Sequence, residues 1–367
     1  MQLERLRIRD FRNISQADLR WSDGLNLLLG DNGQGKSNLL EAIGLLASGR
    51  SFRRAPASLL RRHGQEGFHL HGEVISGGLT HHLEFASRSG QQMVRLNGKG
   101  VTTTSAMGQV LAAVVLTPDA PALIRGAPEA RRDHLDWMLF CQRRGYAGLV
   151  RDYQSALRAR NQLLRSQCRN GGEFDAWESR LAHLGGEMTR QRQQMLQQVE
   201  VALAPFLEAM ALDPQGYRWH MRCQVEPDDY ATALVRSRPA DQRSGCTSVG
   251  PHRDDPLFLY HGRALARFAS RGQQKRFLLA LKLAEARLLQ ERLGEAPLLL
   301  LDDPGTELDQ EGAQCLMRVL AAGENQLFVA TCAAAALPGF ARRPVQRLQV
   351  VEGVFQSQES CATTGSG

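Results

Sequence analysis

Gly30-Asp31-Asn32-Gly33-Gln34-Gly35-Lys36-Ser37 is the stretch on which the reading of the chain turns. It is a complete GxxxxGK[ST] loop, and its flanks are what such a loop requires. Before it, Leu25-Asn26-Leu27-Leu28-Leu29 is an apolar run of strand length. After it, Leu39, Leu40, Ile43 and Leu46 recur at helical spacing, so a helix N-terminus with free amide groups follows the loop. Glycines let the main chain approach phosphate oxygens closely, Lys36 can neutralise β- and γ-phosphates, and the Ser37 hydroxyl can ligate magnesium. ATP and Mg2+ are therefore the expected cofactors, with Gly30, Asp31, Asn32, Gly33, Gln34, Gly35, Lys36 and Ser37 as the binding loop. A lone loop does not say which nucleotide-hydrolysing protein this is.

A second half of the site lies far downstream. Leu298-Leu299-Leu300-Leu301-Asp302-Asp303 is four leucines ending in two carboxylates, the pattern of a buried parallel strand that delivers acids to its carboxyl end. Asp302 is expected to hold the metal with Ser37, and Asp303 to orient the attacking water as the catalytic residue. Upstream, Ser270-Arg271-Gly272-Gln273-Gln274-Lys275 opens a helix with an S-x-x-Q capping pattern. Such an end suits a phosphate held by another subunit, and it equally suits a plain helix cap. Its position just before the acidic strand favours the first, because the signature of ABC-type ATPases falls there. Thr306-Glu307-Leu308-Asp309 then stands where those proteins carry a D-loop, with Glu307 and Asp309 as its acids.

From Lys36 to Ser270 is 234 positions, longer than in a transporter head, so something is inserted. Phe174, Trp177, Leu181, Leu184, Met188, Met195 and Val199 step by threes and fours, broken at Gln191, and Tyr146, Leu149, Tyr153, Leu157 and Leu164 form an earlier helix. Asn170-Gly171-Gly172 supplies the turn of an antiparallel pair. About 26 residues at 1.5 Å each give an arm of roughly 40 Å. Arg143, Arg144, Arg151, Arg158, Arg160, Arg165 and Arg169 are read as its outer face, free to meet DNA phosphates or simply solvated. His63, His69, His71, His81 and His82 lie near one another in sequence without a recognised ligand spacing, and no metal role is expected of them.

Composition sets outer limits. With 367 residues, 43% of them hydrophobic, the chain can bury a sizeable core in about two domains. The net charge of +7 favours a polyanionic partner. Seven cysteines without a CxxC pair read as reduced thiols, and the lack of a long apolar run points to the cytoplasm and away from membranes.

Four further blocks carry a resemblance: Leu6-Arg7-Ile8-Arg9-Asp10-Phe11-Arg12-Asn13-Ile14, Ser51-Phe52-Arg53, residues 128–136 with Arg131-Arg132, and Thr247-Ser248-Val249-Gly250-Pro251-His252-Arg253-Asp254-Asp255. Together with the loop and the acidic strand they resemble the RecF, SMC and Rad50 group of ABC-type ATPases. The resemblance implies an α/β fold, an ABC-type head (1–125 and 244–356) with an inserted helical, coiled-coil-like arm (126–243), and a disordered tail (357–367). It implies ATP-dependent homodimerisation, in which Ser270, Arg271, Gly272, Gln273, Gln274 and Lys275 act in trans. It also implies a weak ATPase that clamps duplex or gapped DNA during repair and replication, with RecR and RecO as partners in loading RecA. Two departures stand out: Pro304-Gly305-Thr306 precedes the D-loop, and Thr117-Pro118-Asp119 stands at the Q-loop position without a glutamine. An ABC-type subunit of a membrane transporter is the alternative; a nuclease-coupled ATPase would need a further acidic domain.

Overall fold

Leu25–Leu29, Leu298–Asp302 and Leu327–Thr331 are buried at every position, as strands covered on both faces must be. In the computed structural model the described residues are 1–101, 105–117, 120–166, 171–304, 308, 310–332 and 344–358. In chain order the strands are β1 (Gln2–Phe11), β2 (Ile14–Arg20), β3 (Leu25–Leu29), β4 (Gly67–Ser76), β5 (Leu79–Arg88), β6 (Gln91–Leu96), β7 (Lys99–Gly100) and β8 (Ala113–Leu116). They continue with β9 (Tyr217–Arg222), β10 (Asp255–Tyr260), β11 (Arg263–Ala264), β12 (Leu298–Asp302), β13 (Leu327–Thr331), β14 (Val345–Val351) and β15 (Val354–Gln358).

The chain divides into two compact units. The first holds residues 1–120, 205–212 and 271–367 and contains two six-stranded sheets. One has the order β15-β14-β3-β13-β12-β8 and is parallel except at the β15 edge; the other is antiparallel, β2-β1-β4-β5-β6-β7. The Lys36–Ser48 helix packs on both: against β8, β12 and β13 of the first and β1, β4 and β5 of the second. Its near-complete burial explains why its apolar residues are not confined to one stripe. Gly72 of β4 allows the approach, since a Cβ there would lie 3.2 Å from Leu46 Cδ1. Along β4 burial alternates strictly, the period of a strand with one face on the core.

Two buried amides fasten this unit. Asn26 Nδ2 donates to Ser22 O (2.9 Å) and Leu327 O (3.2 Å), and its Oδ1 accepts from Ser22 N. Gln326 accepts from Leu3 N at 2.8 Å and donates to Leu3 O at 2.9 Å and Ser22 O at 2.7 Å, so the start of β1 is tied to the start of β13. Every polar atom of these amides that enters the core has a partner.

The second unit holds residues 121–204 and 213–270. Residues 244–270, grouped with the head on sequence alone, cluster here because β10 and β11 form a three-stranded sheet with β9. The helices Tyr146–Arg165 and Gly171–Ala209 run through the expected stripes, and Phe174, Leu181, Met188, Met195 and Val199 are buried. Their buried face also carries charge. Arg160, expected on the outer face, is wholly buried and pairs with Glu178 (2.9 Å) and Asp241 (2.7 Å) while donating to Thr247 Oγ1 (2.9 Å). Arg192, next to the break in the apolar stripe at Gln191, is likewise buried against Asp136 at 2.8 Å. Arg144, Arg151, Arg158 and Arg165 are exposed and Arg143 is half-buried, as an outer face requires; Arg169 lies outside the described residues. Of the expected tail, Ser357 and Gln358 belong to β15, paired with Leu348 and Arg347, and 359–367 lie outside the described residues.

Candidate nucleotide site

The phosphate loop leaves the carboxyl end of β3, and β12, which carries Asp302, is separated from β3 by β13 alone. Parallel pairing therefore brings residues some 265 positions apart to one edge: Ser37 Oγ donates to Asp302 Oδ1 at 2.8 Å. Lys36, 7% exposed, directs its ammonium at the loop's own carbonyls, Gly30 O at 2.6 Å and Asp31 O at 2.8 Å. Asn32, Lys36, Ser37, Arg53, Asp302, Asp303 and Cys332 line a cleft of about 340 Å³.

The loop is braced from outside. Gly353 N donates to Gln34 O (2.7 Å) and Glu352 N to Gln34 Oε1 (2.6 Å), while Asn13 Nδ2 reaches the same Gln34 carbonyl at 3.1 Å. Glycine is needed where the brace is tight. Gly35 has φ +117° and a Cβ there would lie 2.9 Å from Asn13 Oδ1; Gly30 has φ +149° and a Cβ would lie 2.4 Å from Val350 O.

Burial pushes the Asp302 carboxyl above the usual carboxylate range, and Asp303 adds to the rise; the Ser37 hydrogen bond and the charges of Arg53 and Lys36 oppose it. A group so balanced favours a cation beside it. Asp303 adopts the left-handed region at φ +48°, uncommon outside glycine, with its amide donating to Ala330 O at 2.8 Å. That places a second carboxylate on the cleft wall. The set fits a nucleoside phosphate with a hard cation: one buried ammonium, loop glycines at positive φ, and a hydroxyl and carboxylate oxygen in contact.

Three cleft residues, Asn38, Arg53 and Cys332, have no site reading from sequence. Arg53 donates to Asn38 Oδ1 at 2.8 Å and lies 3.4 Å from Glu41, a fully buried carboxylate also held by Arg12 through two 2.9 Å bonds. The Ser51-Phe52-Arg53 block was its only trace. Cys332 sits 3.6 Å from Lys36 Nζ and 3.1 Å from Asn32 Oδ1, and nothing in its sequence surroundings points to the cleft.

Ser270 is exposed immediately before the Arg271–Leu293 helix, Arg271 is exposed, and Gly272 and Gln273 are half-buried. Gln274 and Lys275 are buried within the chain, so the accessible part of the expected signature ends at Gln273. Glu307 and Asp309 of the expected D-loop lie outside the described residues, as do Thr306, Pro118 and Asp119.

Residues 2–354 match the model of the RecF/RecN/SMC N-terminal domain. A DNA replication and repair protein RecF from Magnetococcus marinus is 50% identical over 98% of both chains. The chain belongs to the RecF family. Among solved structures, the recombination mediator protein RecF of the RecFOR pathway, as RecF-ATPrS, is 27% identical, covers 98% of both chains and superposes with a TM-score of 0.85. The same mediator as RecF-ATP superposes at 0.84, with 27% identity and coverage of 97% of this chain and 99% of that one. For this RecF-family chain the transporter alternative loses its support, since the likeness to RecF proteins runs the length of the sequence. Among the described residues no helix is long and apolar enough to cross a membrane.

Proposed function

We propose that this chain is an ATP-driven clamp on DNA in recombinational repair and replication restart. The observation that carries the reading is the Ser37–Asp302 contact of 2.8 Å beside the buried Lys36, made by two segments at opposite ends of the sequence. Lys36, together with the amides of residues 33–37, binds the phosphates of ATP, and Ser37 and Asp302 hold Mg2+. The bound Mg2+ supplies positive charge that offsets the charge on the phosphate oxygens. Asp303 orients the hydrolytic water and accepts its proton. Ser270, Arg271, Gly272 and Gln273 offer an exposed helix start to nucleotide held by a second copy, so ATP joins two heads and hydrolysis parts them. Slow hydrolysis gives the joined state its residence time. RecF relatives solved with nucleotide support the cofactor, and the net charge of +7 supports DNA as the partner. Loading of RecA with RecO and RecR at gaps is the role this reading assigns in the cytoplasm.

Size-exclusion chromatography with and without ATP tests it, paired with binding to duplex, single-stranded and gapped DNA. Lys36→Ala should remove the ATP-induced dimer, and Asp303→Asn should prolong it. A dimer of unchanged amount in Lys36→Ala refutes the assignment.

A further inference from the structure

The outward face of β4 and β5 brings together side chains whose sequence spacing matches no ligand motif. Antiparallel register sets Glu73 opposite His82 and His71 opposite Glu84. Odd residues of β4 point away from the core, so His71 and Glu73 share a face with His82. His71 Nε2 lies 3.3 Å from His82 Nδ1, and a ligand atom from each of His71, Glu73 and His82 lies within 4.8 Å of the other two.

Two nitrogens each about 2.05 Å from a tetrahedral zinc ion stand roughly 3.3 Å apart. The two imidazoles are therefore already spaced as one edge of such a polyhedron. From the cross-strand carboxylate a third ligand is available after a turn of the terminal Glu73 torsions. We propose that His71, Glu73 and His82 form a binding site for a divalent transition-metal ion of the zinc class, bridging β4 and β5 on the outer face of the antiparallel sheet. Two imidazoles and one carboxylate are the donor set that zinc takes, with a fourth position left to water.

The surroundings set how tightly the site binds. Burial, together with Arg7 and His69, holds His71 below the ordinary histidine pKa, with Glu84 and Glu73 opposing. Arg7 is the nearest opposing charge, 3.3 Å from Glu73. Arg5, 3.9 Å from Glu73, is engaged by Asp18 through bonds of 2.7 and 2.6 Å. Glu84, near His69 (4.0 Å) and Arg95 (3.9 Å), adds negative charge to the same face. Arg7 thus competes with the metal for Glu73, and its removal should strengthen binding.

The test uses the full chain stripped of metal, without nucleotide and with excess Mg2+ to occupy the Asp302 oxygens. Zn2+ is titrated against a chromophoric chelator, and Co2+ is followed by visible absorption. Expected are one zinc per chain with a dissociation constant of about 1 µM or tighter, weakening of at least about tenfold in His71→Ala and in His82→Ala, and tighter binding in Arg7→Gln. Co2+ should give the intense absorption of four-coordination. Zinc affinity equal to wild type in both alanine variants overturns the proposal, as does wild-type binding far weaker than this, which would mark an ordinary imidazole pair. Should an alanine variant fail to fold by circular dichroism, the Arg7→Gln arm still decides: unchanged affinity there overturns the proposed competition for Glu73.

Discussion

Replacing Arg160 by methionine separates two readings of one residue. If Arg160 lay on an outer face, the change would cost almost nothing in stability and would subtract one phosphate contact. In the structure its guanidinium is wholly buried and binds Glu178, Asp241, Thr247 Oγ1 and, at 3.3 Å, Leu234 O. Breaking a buried ion pair by removing one partner costs about 3–5 kcal/mol. The lower end applies, because neither carboxylate is stranded. Glu178 keeps Arg238 at 2.6 Å, and Asp241 keeps Ser248 Oγ at 2.6 Å and Ser237 Oγ at 2.9 Å. Methionine also recovers some apolar burial. The expected loss is about 3 kcal/mol, a fall in the melting temperature of roughly 6–12 °C for a unit of this size. Thermal unfolding followed by circular dichroism reads it. A loss under about 1 kcal/mol, or weakened DNA binding with unaltered stability, would refute the burial argument.

Gly35→Ala should abolish nucleotide binding with little loss of fold, because φ +117° and the 2.9 Å approach to Asn13 Oδ1 distort the loop itself; isothermal titration with ATP checks this. Glu41→Gln removes the charge facing Arg12 and Arg53 in a fully buried place and should cost about 3 kcal/mol in urea unfolding. His252 accepts from the Tyr153 hydroxyl at Nδ1 (2.6 Å), leaving Nε2 to donate to Thr247 O (3.1 Å), and burial holds its pKa at about 4. Between pH 6.5 and 4 the unfolded chain takes up a proton that the folded chain refuses, so this stabilisation is complete above 6.5 and is lost as pH falls through that window. It amounts to about 2 kcal/mol after screening of an incompletely enclosed ring, and His252→Gln should flatten the pH dependence of stability over that range.

The head could be read early because its chemistry is contiguous: the loop and the acidic strand each lie in one run of residues, with the strand or helix they need beside them. What could not be read depends on partners distant in sequence. A helical stripe identifies the apolar side of Tyr146–Arg165 but not which arginine shares it, and charge alone puts Arg160 outside. Tyr217–Arg222 alternates apolar and polar as a strand with one buried face does, but nothing along the chain says that it pairs with Asp255–Tyr260, and β11 is only two residues long. Arg53 and Cys332 reach the cleft only through packing and sheet order. His71, Glu73 and His82 meet across a register that spacing along one strand does not encode.

The turn between β14 and β15 holds Gln34 through the amides of Glu352 and Gly353, so the loop made near the start of translation is held in shape by residues made more than 300 positions later. A nascent chain that has emerged only as far as Asp302 contains Lys36, Ser37 and Asp302 and still lacks the two amides that hold Gln34. Under the function proposed above, the loop's final shape waits on the β14–β15 turn, so the order of synthesis puts the brace after the groups it organises.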